Sequence, residues 1–183
     1  MNLYLMRHGQ TNWNIERRAQ GRTDIPLNET GIKQAKEAID KIKDITFDLV
    51  YSSPLQRALK TAQIVTEGKY PIVVDDLLIE RSFGDLEGKS VDEFDLKAFL
   101  STPLDKSYNK EETNQHMIDR AKKFIAKLPE VNNVLVVTHG AYYRAFMMAL
   151  DESLKNGDYN SLYLKNCEVV KIEMEKYRWK TLW

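Results

Sequence analysis

The sequence predicts an α/β fold, a three-layer α/β/α sandwich built around a mostly parallel sheet. Three observations predict it. Short apolar runs rich in Val, Ile and Leu alternate along the chain with segments of helical periodicity, which is the pattern of repeated strand–helix–strand units. The best of those runs, such as Val134–Val137, are apolar throughout, as strands covered on both faces must be. The composition, 43% hydrophobic and 30% charged over 183 residues, suits a globular chain with one core.

The elements follow in order. Asn2–Met6 is an apolar run that ends at Arg7-His8-Gly9, a buried strand feeding a loop. Asn28-Glu29-Thr30-Gly31 opens a helix, and Ala35, Ala38, Ile39 and Ile42 fall on one face of it. Phe47–Tyr51 is a second strand. Ser53 then suits an N-cap and Pro54 a first helical position, with Leu55, Ala58, Leu59, Ala62 and Val65 forming the helical face. Pro71–Val74 reads as a third strand. Leu78–Ser90 is loop-like, Val91–Leu100 weakly helical, and Thr102–Asn114 a polar loop. Met117, Ala121, Phe124, Ile125 and Leu128 mark an amphipathic helix closed by Pro129. Val134–Val137 is a strand that ends at Thr138-His139-Gly140, and Ala141–Leu150, apolar nearly all round, is a buried helix. Ser161–Leu164 and Glu168–Met174 alternate well enough for late strands. There is no internal repeat, low-complexity stretch or Pro/Gly/Ser linker, so residues 1–183 read as a single domain.

Charge and cysteine usage exclude several functions. Lys+Arg and Asp+Glu both number 27, so the formal net charge is zero, which disfavours a general nucleic-acid binder. One cysteine cannot build a disulfide framework or a multi-cysteine metal site. No apolar run reaches a membrane span, and MNLYLMRHG leaves no room for a signal peptide, so the expectation is a cytoplasmic protein.

Two of the three histidines, His8 and His139, follow strands directly. Open α/β sheets bind ligands beyond the carboxyl ends of their strands. Arg7 precedes His8, and Arg57 lies in the first turn of a helix that also begins just past a strand. Helix starts near Pro54 and Gly140 offer free N–H groups to an anion. Two arginines, two histidines and two helix starts describe a phosphate-sized anion site, because the guanidinium fork matches phosphate oxygens. Glu80 is a candidate general acid, since a nearby phosphate dianion discourages a carboxyl group from ionising. Rival signatures fail. Gly84-Asp85-Leu86-Glu87-Gly88-Lys89-Ser90 has three residues between its glycines where a phosphate-binding loop needs four. Cys167 lacks the arginine a Cys-x5-Arg motif requires, for Glu173 stands there, and it reads as a small buried residue. No serine nucleophile elbow, zinc-protease helix or EF-hand is present. His116 reads as a solvated helix residue, and Trp179 and Trp183 as packing residues.

Together these segments resemble the histidine phosphatase superfamily, the phosphoglycerate mutase-like group. The matching blocks are Leu5-Met6-Arg7-His8-Gly9-Gln10-Thr11 with Asn14; Arg18 to Leu27 with Gly31 and Gln34-Ala35; Ser52-Ser53-Pro54-Leu55-Gln56-Arg57-Ala58 with Thr61-Ala62; Glu80 to Gly88; and Val137-Thr138-His139-Gly140. The resemblance implies a phosphohistidine intermediate on His8, phosphate binding by Arg7, Arg57 and His139, and proton transfer by Glu80. It implies that Asn14, Gln20, Gly21, Gly140, Arg81 and Phe83 line the substrate pocket. No metal and no cofactor is expected, since fixed arginines replace a metal ion around the transferring group. Departures are Gln10 where glutamate is frequent, Glu111-Glu112-Thr113 where Gly-Glu-Ser is common, and Phe83 where tyrosine is common in the mutases. A variable segment, about 91–116, is expected to form a lid. It holds Lys97, Lys106 and Lys110 but no arginine to grip a second acidic group. That favours a phosphatase for a small phosphomonoester over a phosphoglycerate mutase, with a non-catalytic phospho-ligand module as the third reading. The expected partner is a small phosphorylated metabolite, with no nucleic acid and no membrane, on a monomer or homodimer.

Overall fold

The computed structural model of the chain describes residues 1–94, 104–156 and 162–175. Its five strands are β1 (Asn2–Arg7), β2 (Leu49–Ser52), β3 (Ile72–Val74), β4 (Asn133–Thr138) and β5 (Val169–Glu173). They form one sheet in the order β3-β2-β4-β1-β5. Every pairing is parallel except β5 with β1. The α-helices among the described residues are α1 (Asn12–Ile15), α2 (Glu29–Ile42), α3 (Gln56–Val65), α4 (Asn114–Ala126) and α5 (Gly140–Leu150).

Strand periodicity explains the layers, because successive side chains point to opposite faces. On β1 and β4, Leu3, Leu5, Val134 and Val136 pack under α4 and α5 with Met117, Phe124, Tyr142 and Phe146. Tyr4, Met6, Leu135 and Val137 face the other way and pack with Ala35, Ala38, Ala58 and Ala62 of α2 and α3. Both faces of the central strands are therefore buried, which is why their sequences are apolar throughout. Alanines on the α2 and α3 side let those helices approach closely.

Where local reading and structure differ, the cause is visible. α3 starts at Gln56 after Leu55, with no side-chain cap, so neither Ser53 nor Pro54 has the predicted helical role. The Ser53 hydroxyl accepts from Leu55 N–H at 3.3 Å, ahead of the helix, and makes its shorter contact, 2.7 Å, with His139. Leu162–Leu164 is not a strand, since the carbonyls of Leu162 and Leu164 are taken by Arg144 and Arg7 instead of a neighbouring strand; Ser161 lies outside the described residues. The Leu78–Ser90 stretch holds a tight turn at Gly84–Leu86 and follows the turn Asp76–Leu78 rather than a strand, so the near-match to a phosphate-binding loop lacks the strand that should lead into it. Of the predicted Val91–Leu100 helix only the turn Val91–Glu93 is described, and residues 95–103 lie outside the described set. Trp179 and Trp183 do too. Short α1 was not foreseen; a capping box between Thr11 and Asn14 creates it.

Candidate active site

β1, β2 and β4 lie close together at the centre of the sheet, so the residues leaving their carboxyl ends meet. Arg7 pairs with Thr138 and Ser52 with Val137. His8, Ser53 and His139 come next in sequence. Main-chain bonds carry the alignment past the strands: His8 N–H donates to the Thr138 carbonyl and Ser53 N–H to the Val137 carbonyl, each at 3.0 Å. The His8 and His139 rings end 5.2 Å apart between centroids.

His8 is 3% exposed. Its Nδ1 lies 2.7 Å from the Gly9 carbonyl oxygen. A carbonyl can only accept, so Nδ1 carries the proton and Nε2 keeps a lone pair. Thr61 Oγ1 accepts from Gly9 N–H at 3.0 Å, and Asn166 Nδ2 donates to the His8 carbonyl at 2.8 Å, which fixes the loop from two sides. Gly9 also lies against α2: a Cβ on it would stand 2.6 Å from the Gly31 carbonyl oxygen. Burial first, then the charges of Arg57 and Arg7, holds the His8 ring well below its ordinary value of 6.5, and so neutral. The two cations favour the neutral ring, but burial is the larger cause.

Arg57 is 1% exposed. Its Nη1 and Nη2 donate to the carbonyls of Thr23 and Gly21 at 2.8 and 2.7 Å. Burial draws it down to about 10, with Glu80 the strongest charge opposing that shift, so it remains a cation at neutral pH. Arg7 Nη1 donates to the Leu164 carbonyl at 2.8 Å and to Tyr163 Oη at 3.4 Å. His139 is fully buried, with Nε2 2.7 Å from Ser53 Oγ. Burial, then Arg57, His8 and Arg7, keeps it neutral too. Arg7 Nε, Arg57 Nε and His139 Nδ1 are buried without a hydrogen-bond partner. An unmet buried polar group costs about 1–3 kcal/mol. An anion with several oxygens would supply the acceptors that two cationic donors lack here.

Glu80 is buried beside this cluster. Its Oε1 accepts from Arg81 N–H at 2.9 Å and Tyr142 N–H at 3.0 Å, and its Oε2 from Ala141 N–H at 3.2 Å. The α5 N-terminus expected to face the ligand thus has two of its N–H groups on Glu80. A carboxylate belongs there, at the positive end of the helix dipole. The segment carrying Glu80 is held by a second network. Glu112 accepts from Arg120 Nε and Nη2 at 2.7 and 2.8 Å and from Arg22 Nη2 at 3.1 Å, and it also meets His116 Nδ1. Arg120 Nη1 donates onward to the Leu77 and Ile79 carbonyls, and Arg22 Nε to the Glu80 carbonyl.

The remaining predicted residues divide. Gly21 offers its carbonyl to Arg57 and adopts a left-handed backbone, φ +52°, with no room for a side chain beside Glu87. Gln20 is buried next to it, with Oε1 unpartnered. Gly140 leaves open the space beside Arg7, where a Cβ would come within 3.5 Å of Nε. Asn14 turns its Oδ1 to Thr11 in the α1 cap. Arg81 is fully buried and donates from Nε to the Glu112 carbonyl at 2.8 Å. Phe83 packs against the α4–α5 side of the core. The structure thus gathers His8, Arg7, Arg57, His139, Glu80, Gly21 and Gly140, and shows Asn14, Arg81 and Phe83 in contacts that shape the surrounding loops. Sequence reasoning missed Ser53 as a partner of His139, Asn166 behind His8, and Glu87, which ties Phe83 to Arg22 and Thr23. Within the segment expected to form a lid, the Glu111 carboxylate accepts from the backbone of Tyr108 and Asn109. His116, read as solvated, is largely exposed but also joins the Glu112 network. Among the described residues no group of three or more His, Cys, Asp or Glu could hold a metal ion, and no helix is long and apolar enough to cross a membrane.

Comparison with known proteins agrees with this geometry. Residues 3–183 match the family described as the histidine phosphatase superfamily (branch 1). The chain is 36% identical over 180 residues to the uncharacterized phosphatase PhoE of Bacillus subtilis, covering 96% of this chain and 90% of that one. It is 28% identical to the probable phosphoglycerate mutase GpmB of Escherichia coli, covering 98% of this chain and 87% of GpmB. Among solved structures, phosphoserine phosphatase of Entamoeba histolytica, in complex with 3-phosphoglyceric acid, superposes with a TM-score of 0.83 at 30% identity, covering 96% of this chain and 91% of that one.

Proposed function

Since the chain belongs to the histidine phosphatase superfamily, we propose that it is a metal-independent phosphatase that hydrolyses a small phosphomonoester through a phosphohistidine on His8. The observation that carries this reading is the state of His8: a buried, neutral ring under the charges of Arg57 and Arg7, whose proton is held by Gly9 so that Nε2 is left to act as nucleophile. Nε2 attacks phosphorus and the P–O bond to the leaving group breaks. The phosphate dianion of the bound ester, a like charge beside Glu80, favours a proton on this carboxyl group, which gives it to the departing oxygen. In the second step Glu80 takes a proton from water, the water oxygen bonds to phosphorus, and the P–N bond breaks to release inorganic phosphate and His8. Arg7 and Arg57 stabilise the equatorial oxygens throughout, which is most of what phosphoryl transfer needs. Covalent catalysis divides one difficult displacement into two.

The mutase reading keeps the first step and returns the phosphoryl group to a substrate hydroxyl. It draws on the likeness to GpmB. The lack of any arginine between Val91 and His116 speaks for hydrolysis, since the lid then has no guanidinium for a second acidic group. The test is phosphate release in EDTA from 3-phosphoglycerate, sugar phosphates, nucleotides and an aryl phosphate, for the wild type and His8→Ala. Release by the wild type alone supports the proposal. Release that survives in His8→Ala overturns the mechanism, and isomerisation of 3-phosphoglycerate without release replaces hydrolysis with mutase chemistry.

A further inference from the structure

We propose that Ser53 is a positioning residue, whose hydroxyl donates to Nε2 of His139 and so fixes this ring as the tautomer with its proton on Nδ1, free to bond a phosphoryl oxygen. The inference deepens the phosphatase reading and rests on it for the identity of the anion.

The protons around the Ser53 hydroxyl fix the direction of its bond to His139. Ser53 is fully buried, and its Oγ has two neighbours: Leu55 N–H, which donates to it at 3.3 Å, and His139 Nε2 at 2.7 Å. The shorter contact is the stronger one. The Ser52 hydroxyl, which donates to the Ser53 carbonyl at 2.9 Å, makes no hydrogen bond with the Ser53 hydroxyl. If His139 donated from Nε2, the Ser53 oxygen would receive two protons and its own would have no acceptor among the described residues. Buried hydroxyls are rarely left so. With Ser53 donating, every proton on this side of the ring has a place.

The other side of the ring agrees. A bare Nδ1 would be a buried acceptor, yet no donor reaches it. The nearby N–H groups of Ala141 and Tyr142 go to Glu80 instead, and His139 does not cap its own helix. Arg7 Nε and Arg57 Nε, both without partners, leave Nδ1 alone as well. A protonated Nδ1 explains all three facts, for it is then a third donor awaiting the same acceptor as the guanidiniums. The ring is neutral, so it has one proton to place.

The two histidines thereby differ in role through their partners. Gly9 accepts the Nδ1 proton of His8 and leaves Nε2 open to attack phosphorus. Ser53 occupies Nε2 of His139 and leaves Nδ1–H to donate. Both rings carry the proton on the same atom, but only His8 has an accessible lone pair. This accounts for which of two adjacent buried histidines is the nucleophile.

The test is a two-bond proton–nitrogen NMR correlation on protein labelled with nitrogen-15 histidine, with and without inorganic phosphate. Three histidines make assignment simple, with His116→Gln and His8→Ala as aids. The expected spectrum gives His139 a pyrrole-type Nδ1 and a pyridine-type Nε2, with Nδ1–H shifting when phosphate binds. In Ser53→Ala the His139 pattern averages between tautomers while His8 keeps its own. kcat then falls by roughly tenfold to a hundredfold, as for other groups that orient a functional imidazole, with KM little changed. A protonated Nε2 on His139 in the wild type overturns the proposal, as does a Ser53→Ala protein that keeps both the Nδ1–H pattern and full kcat. The wild-type spectrum decides even if Ser53→Ala does not fold. An Nδ1–H ring in a protein that hydrolyses no ester would uphold the hydrogen bond and count against the phosphatase reading alone.

Discussion

Glu112→Gln is the perturbation that reports most fully on how Glu80 is held. Glu112 and Arg120 form a two-point ion pair with side chains only 4% and 7% exposed. Removing one partner of a buried pair strands the other charge, at a cost of about 3–5 kcal/mol. Arg120 keeps the Leu77 and Ile79 carbonyls, and Arg22 is partly exposed, so the lower end, about 3 kcal/mol, applies. For a chain of this size that lowers Tm by roughly 6–12 °C. Burial would raise the Glu112 carboxyl, but Arg120, Arg22 and His116 outweigh it and hold it below its ordinary 4.5. The folded state therefore binds fewer protons than the unfolded one as pH falls past 4.5. Its contribution is complete above that value and is lost as the pH passes through the lower folded value. The gap between wild type and variant should thus be full at pH 7 and narrower at an acid pH below 4.5, as the direction of this shift requires. Because Arg22 and Arg120 together hold the carbonyls of residues 77, 79 and 80, kcat should also fall, by about tenfold or more, as small misplacements of reacting groups are costly. Urea unfolding at the two pH values and phosphate release from an aryl ester measure both effects. A variant with wild-type stability and wild-type kcat at pH 7 would refute the idea that this network holds the general acid.

Other consequences follow from the same structure. His8 and His139 are both held well below 6.5, so the unfolded chain takes up protons before the folded one. Stability should be level above 6.5 and fall below it, by up to about 2.7 kcal/mol per pH unit for the two groups together, which urea titrations between pH 7.5 and 5 can check. Gly31→Ala would place a Cβ 2.1 Å from the Gln10 carbonyl oxygen, in backbone that cannot yield. It should cost about 1–3 kcal/mol or more by thermal unfolding and reduce turnover through displacement of the His8 loop. Cys167 is 2% exposed, and burial pushes its thiol up to about 12. It should resist thiol reagents at pH 8 until the protein is unfolded; rapid labelling of the folded protein would contradict its burial.

Much of this architecture was legible because local pattern and tertiary role coincide. The apolar runs at Leu3–Met6 and Val134–Val137 are buried on both faces, and their carboxyl ends carry the two histidines. Ala35, Ala38 and Ile42 fall on the buried face of α2 as their spacing requires. What failed did so where side chains override local preference. Ser53 has the sequence signature of a cap, yet a histidine 86 residues away claims its hydroxyl. Leu162–Leu164 has the alternation of a strand, yet its carbonyls serve arginines. The free N–H groups expected at the start of α5 were assigned to a ligand, yet Glu80 reaches them from 61 and 62 residues away. Such contacts leave no mark in a local window, because they depend on which strand ends become neighbours.

The central claim is that phosphate passes through Nε2 of His8. Rapid quench of the enzyme with a phosphorus-32 ester, followed by peptide mapping of the acid-labile label, tests it directly. The account predicts a transient phosphoryl group on His8, bonded to Nε2 because Gly9 holds Nδ1, and none in His8→Ala. A label on Nδ1, on another residue, or absent through a full turnover would contradict it.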